Sequence, residues 1–209
     1  MSPPPGALVS IVDDEPSVRK SLARLVKAAG YEVEAFASAH EFLARLQPED
    51  PCCLLLDVQM PGLTGLELQE ALAAAGHRVS IVFISGHGNI AGSVKAMKGG
   101  AVDFLTKPVT DRELLGAVER AVTKALQMRQ DQARAREIHS RIKSLTPREA
   151  QVFALVVTGR LNKQIAFDLG IGEKTVKAHR GRVMAKMRAG SVAELVRLAD
   201  QGGVIAAKS

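Results

Sequence analysis

Leu8-Val9-Ser10-Ile11-Val12-Asp13-Asp14-Glu15 is a short β-rich run that ends in three carboxylates. A run of this length and character reads as a buried strand. Acids just past its carboxyl end lie where open α/β sheets carry their functional groups. The same kind of run recurs at Tyr31–Phe36, Cys52–Leu56, Ser80–Ile84 and Val102–Leu105. Helical patterns separate the runs, as in Ser17–Ala29, where Val18, Leu22, Leu25 and Val26 recur at helical spacing. This alternation predicts a five-stranded, parallel, right-handed doubly wound sheet.

The strand ends then supply the chemistry. Asp13 and Asp14 follow the first strand, Asp57 the third, Ser85 the fourth and Lys107 the fifth. With the first and third strands adjacent, three carboxylates are expected to converge, and their repulsion must be relieved by a cation or by protonation. All-oxygen donors without a neighbouring metal-type His or Cys favour Mg²⁺ over zinc. A carboxylate beside Mg²⁺ and an ammonium group is a competent nucleophile toward a phosphoryl group.

The remaining composition narrows the class. The 209 residues are 46% hydrophobic and 24% charged, and no apolar run approaches the roughly 18 residues a membrane helix needs. Met1 to Gly6, with three successive prolines, reads as an unstructured extension and not a signal peptide, so a cytoplasmic protein is expected. Cys52 and Cys53 stand side by side, which makes neither a disulfide framework nor a four-ligand zinc site; they read as strand filler. Residues 1–124 hold 12 Lys and Arg against 15 Asp and Glu, net −3, whereas residues 125–209 hold 16 against 7, net +9. An acidic domain joined to a basic domain that seeks nucleic acid accounts for this asymmetry.

Val12-Asp13-Asp14-Glu15, Leu56-Asp57 with Met60-Pro61-Gly62, Ser85-Gly86-His87-Gly88, and Lys107-Pro108 together resemble the receiver domains of bacterial response regulators, from Leu8 to about Thr123. The resemblance implies strand order 2-1-3-4-5 and phosphorylation of Asp57 by a partner sensor histidine kinase. It further implies Mg²⁺ held by Asp13, Asp14, Asp57 and the Gln59 carbonyl, with Ser85 and Lys107 on the phosphoryl oxygens. Phe104 would be the switch aromatic, and Lys107-Pro108 a cis peptide. Gln59 and His87 flank the site at positions that influence the lifetime of the phosphate. Residues Ile90 to Gly99 carry Gly92 and end in Gly99-Gly100, so this fourth helix is expected to be the soft switch element.

Beyond Gly116 no Gly or Pro occurs until Pro147, and Ala117 to Lys143 is dense in helix formers. One continuous helix from near Asp111, or two shorter ones with a fray between them, both fit. Four helices are then expected, at Pro147–Thr158, Lys163–Leu169, Glu173–Met187 and Ser191–Asp200. The second and third, joined by Gly170-Ile171-Gly172, read as a helix-turn-helix. Val176, Val183 and Met187 form its inner stripe. Lys174, Lys177, Ala178 and Gly181 share another face, with Arg180, Arg182 and Lys186 beside it to meet phosphates.

Leu145-Thr146-Pro147-Arg148-Glu149, Asn162-Lys163-Gln164-Ile165-Ala166, Thr175-Val176-Lys177-Ala178-His179-Arg180 and Val183-Met184-Ala185-Lys186-Met187 resemble the four-helix DNA-binding domain of the NarL/FixJ and LuxR class. With the receiver-like half, the FixJ-like branch is the best match. The resemblance places Lys177 and Ala178 at base edges and Asn162, Lys163, Thr175, His179 and Arg180 at the DNA backbone. Gly181 and Gly172 depart from the family pattern. Val192, Leu195, Val196 and Ala199 form a stripe that either pairs two DNA-bound domains or packs in the core.

The expected organisation is a tail (1–6), a receiver (7–124), a helical linker (125–143) and a LuxR-type domain (144–209). The expected function is a response regulator, not an enzyme, that binds double-stranded DNA. Phosphorylation would promote a homodimer, with RNA polymerase as a further candidate partner of an activator. An aspartyl-phosphate phosphatase is disfavoured because no second carboxylate adjoins Asp57 as acid or base. A phosphorylation-independent DNA binder is disfavoured by the full set Asp13, Asp14, Asp57, Ser85 and Lys107.

Overall fold

Mostly apolar strands of a parallel sheet are covered on both faces, and the two central apolar runs of this chain, at residues 53–57 and 81–85, are buried throughout. In the computed structural model, which describes residue 4 and residues 6–46, 52–86 and 90–204, β1 (Leu8–Val12), β2 (Glu32–Phe36), β3 (Cys53–Asp57), β4 (Ile81–Ser85) and β5 (Asp103–Thr106) form one parallel sheet in the order β2-β1-β3-β4-β5. Every residue of β3 and β4 is buried. Alternation along the strands divides the core in two. Val9, Ile11, Cys53, Leu55, Val82 and Ile84 face one side, where they meet Val26 of α1 (Pro16–Ala28) and Leu114 and Val118 of α5 (Asp111–Lys143). Leu54, Leu56, Ile81 and Phe83 face the other side, against Phe42 of α2 (Ala39–Arg45), Leu68 and Leu72 of α3 (Gly65–Ala74) and Ala96 of α4 (Ile90–Lys98).

Four strands begin and three end one residue later than their apolar runs suggest, so Asp57 and Ser85 are the last residues of β3 and β4 instead of following them. Backbone pairing accounts for the shift: Asp57 is in register with Ile84, and Ser85 with Thr106. Hydrogen bonding along the ladder thus extends one residue beyond the hydrophobic signal. Cys52 and Cys53 are buried free thiols in the core, and burial pushes the Cys53 thiol well above its ordinary value.

The chain separates into two compact units, residues 1–128 and 129–209. Of the two readings of the segment after Gly116, one unbroken helix is found: α5 runs for 33 residues. Its first part packs on the sheet of the first unit, and its Ile138 belongs to the core of the second. Around Ile138 the second unit gathers α6 (Pro147–Val157), α7 (Asn162–Leu169), α8 (Glu173–Met187) and α9 (Val192–Gln201). Thr146 and Glu149 form a capping box before α6, with Pro147 in the first turn. At the turn between α7 and α8, Gly170 takes a left-handed conformation (φ 62°) that few residues other than Gly adopt cheaply.

Candidate functional site

The buried acidic cluster is built by strand ends. Asp13 continues the β1 ladder, its amide donating to the Phe36 carbonyl, and is only 2% exposed; Asp57 closes β3 at 7%. Lys107 follows β5, and its Nζ lies 2.9 Å from Asp13 Oδ2 and 2.9 Å from Asp57 Oδ1. The other carboxylate oxygens accept backbone N–H groups, Glu15 to Asp13 Oδ1 at 2.8 Å and Gln59 to Asp57 Oδ2 at 2.7 Å. Ser85 is buried at the end of β4, and its carbonyl accepts the Lys107 amide at 2.7 Å. The Lys107–Pro108 peptide is cis.

Electrostatics follow from this crowding. Burial raises the Asp57 carboxyl above its ordinary range, opposed by the Lys107 hydrogen bond and reinforced by Asp13. Burial alone would lower the Lys107 ammonium, but its hydrogen bonds to Asp13 and Asp57 leave it raised. Asp57 is thus a largely desolvated carboxylate held beside a cation.

The expected convergence of three carboxylates requires correction. Asp13 and Asp57 meet at Lys107, whereas Asp14 is exposed, and among the described residues no three His, Cys, Asp or Glu side chains are grouped to hold a metal ion. Asp13 continues the ladder of β1 with its side chain buried, whereas Asp14 lies in the bend beyond the strand, where its side chain is exposed. The donor set still suits Mg²⁺, a hard cation that takes one or two carboxylates and completes its shell with other oxygens. His87 and Gly88 lie outside the described residues. Phe104 is half-buried, its ring 6.1 Å from that of Phe83.

Gly65 belongs to this site and went unnoticed in the sequence. A Cβ there would collide with the Asp57 carbonyl, so only glycine lets the first turn of α3 come so close. The signal was the capping box of Thr64 and Glu67, which starts a helix at residue 65.

The second candidate surface is α8 with its supports. Val176, Val183 and Met187 are buried as the inner stripe, and Lys174, Thr175, Lys177, Ala178, Gly181 and Arg182 are exposed, as is Lys163 on α7. Arg180 Nη1 donates to Asn162 Oδ1 at 2.9 Å, tying α8 to the start of α7. His179 is partly buried, and its Nδ1 has no hydrogen-bond partner among the described residues. Lys186 does not join the phosphate-facing set. It turns to the buried Glu149, 2.6 Å away, and to the Ser144 carbonyl at 2.9 Å. That contact, with the capping bonds from Thr146, lowers the Glu149 carboxyl to about 2. In α9, Leu195 and Ala199 are buried while Val196 is 38% exposed.

Residues 9–119 match the response regulator receiver domain, and residues 143–199 match the luxR family of bacterial regulatory proteins. This chain is a response regulator. Nodulation protein W of Bradyrhizobium diazoefficiens is 48% identical over 200 residues, which cover 96% of this chain and 88% of that protein. The transcriptional regulatory protein FixJ of Rhizobium meliloti is 43% identical, covering 93% and 96%. Among solved structures, the response regulator StyR matches with TM-score 0.84 and 45% identity, covering 93% of this chain and 98% of that one. The regulator is FixJ-like, with a receiver and a LuxR-type helix-turn-helix domain, and it is a transcriptional regulator, not an enzyme. Such an organisation implies a histidine kinase and DNA as partners. Among the described residues no helix is long and apolar enough to cross a membrane.

Proposed function

We propose that Asp57 takes a phosphoryl group from the phosphohistidine of a sensor histidine kinase, and that this controls dimerisation and sequence-specific DNA binding by a cytoplasmic transcriptional activator. Lys107 bridging the buried Asp13 and Asp57 carries the reading, because a desolvated carboxylate beside a fixed ammonium is built for an incoming phosphoryl group. A carboxylate oxygen of Asp57 attacks phosphorus, the histidine N–P bond breaks, and an acyl phosphate forms. Lys107 then neutralises phosphoryl oxygens, and the buried Ser85 hydroxyl binds one of them. Mg²⁺ would be held by Asp13, Asp57 and the Gln59 carbonyl, with the exposed Asp14 beside them, and would supply charge neutralisation at the transferring group.

As Ser85 is drawn toward the phosphoryl group, Phe104 turns further inward and reshapes the surface of α4, β5 and α5. On α4, Ile90, Val94 and Met97 are 81%, 47% and 47% exposed at spacings of four and three, a single apolar stripe suited to a second copy. The receiver comprises residues 7–124, the helical linker 125–143 and the DNA-binding domain 144–209. On DNA, Lys177 and Ala178 face base edges; Lys163, Lys174, Thr175, His179 and Arg182 meet the backbone, and Asn162 orients Arg180. RNA polymerase is the further partner of an activator.

Incubation with Mg²⁺ and acetyl phosphate, followed by intact mass and sedimentation of wild type and Asp57→Asn, tests this reading. A single phosphoryl adduct and dimerisation of wild type alone are expected. An unmodified wild type overturns the phosphorylation; an adduct on a persistent monomer overturns the dimerisation.

A further inference from the structure

We propose that a cavity at the amino end of β4, remote along the strand from the acidic cluster, is a binding site for a small organic carboxylate. The cavity measures about 190 Å³ and lies among the end of α3, the turn after α4 and the side of α5. Its charged walls are basic: Arg78 and Lys124 line it beside His77, Ser80 and Gln69, with no Asp or Glu among the lining residues. Leu72 and Ile81 add an apolar floor, and both are almost wholly buried.

Two of these groups have bonding capacity to spare. Ser80, 2% exposed, lines the cavity, and its Oγ has no hydrogen-bond partner among the described residues. A buried hydroxyl left unpaired is costly, and a ligand acceptor or a bound water would satisfy it. Among the described residues Lys124 Nζ reaches the Gly100 carbonyl alone, at 3.5 Å, the outer edge of hydrogen bonding. A carboxylate fits this set: its charge answers Arg78 and Lys124, and its oxygens accept from a hydroxyl.

Size narrows the class further. Drug-sized pockets run from roughly 300 to 1,000 Å³, and a water occupies about 30 Å³. The volume therefore suits one ring or a short chain bearing the carboxylate, and a nucleotide is too large. The apolar floor favours such a body over inorganic phosphate.

Gln69 would transmit occupancy to α4. It is 6% exposed, lines the cavity, and donates Nε2 to the Ala96 carbonyl in α4 at 3.0 Å. Gly99 presses on the same amide so closely that a Cβ there would come within 2.7–2.9 Å of it. A ligand that fixes the Gln69 side chain thus fixes the last turn of α4.

The test is a titration of the full unphosphorylated chain with sodium benzoate at constant ionic strength, followed by backbone amide NMR, with benzylamine as the cationic analogue. Because no phosphoryl group is involved, the result is independent of the function proposed above. Saturable shifts at Ser80, Gly99 and Gly100, slower amide exchange at Ala101, no response to benzylamine, and binding weakened about tenfold or more in an Arg78→Ala/Lys124→Ala variant are expected. Shifts that never saturate, an equal response to benzylamine, or undiminished binding by the double variant would overturn the proposal.

Discussion

Lys107 Nζ sits 2.9 Å from both Asp13 Oδ2 and Asp57 Oδ1, so one ammonium screens two buried carboxylates. Lys107→Ala removes that screen and the cation facing the phosphoryl oxygens. Phosphorylation of Asp57 by acetyl phosphate should slow about 100-fold, the scale of losing one preorganised electrostatic group. A time course of intact mass measures it; a rate within a factor of two of wild type would contradict the role given to Lys107.

Gly65→Ala should destabilise the first unit by about 1–3 kcal/mol, because the new Cβ meets the Asp57 carbonyl and the first turn of α3 must shift. Thermal unfolding of the variant should show a lower midpoint. Gly76→Ala is the control, since its Cβ meets nothing within 4 Å and only its positive φ (78°) penalises the change.

Acid should weaken the second unit through Glu149. Its carboxyl is lowered to about 2 from an ordinary 4.5, first by Lys186 and then by the Thr146 amide. A depressed carboxyl contributes stability that is complete above its unfolded value and is lost as pH falls through its folded one. Stability should therefore decline between about pH 4.5 and pH 2, and Glu149→Gln should flatten that part of the profile. Denaturant midpoints measured across the window, with helical circular dichroism as the signal, decide the matter.

Arg182→Ala should weaken DNA binding on every sequence and reduce the slope of log K against log salt by about 0.9, the value for one phosphate. Lys177→Ala should also change base preference. Arg180 differs, because its guanidinium is tied to Asn162. Asn162→Ala and Arg180→Ala should be non-additive, and a binding cycle with the double variant reads their coupling.

Within the first unit, amide exchange should be faster in α4 than in α3. Ala96 is the buried residue of α4, whereas α3 buries Gly65, Leu68, Gln69 and Leu72. Sparse burial lowers the cost of local opening. Equal protection of the two helices in the unphosphorylated chain would remove α4 as the soft element.

The sequence by itself determined the architecture. Five short β-rich runs, each separated by a helical period, admit few packings other than a parallel sheet covered on both faces, since apolar strands of that kind must be buried twice. It also carried the acids and the lysine at strand ends, the capping box at Thr146, and the inner stripe of α8, because each is a matter of local spacing. What the tertiary structure alone decided concerns direction and partners. Asp14 faces out while Asp13 faces in, Lys186 serves Glu149 and not the DNA-facing set, Arg180 is held by Asn162, and Gly65 clears the Asp57 carbonyl. These contacts join residues 8 to 37 positions apart, and Lys107 reaches Asp13 across 94. Local periodicity says which face of an element a residue occupies; only packing of elements against one another says which group it finds there.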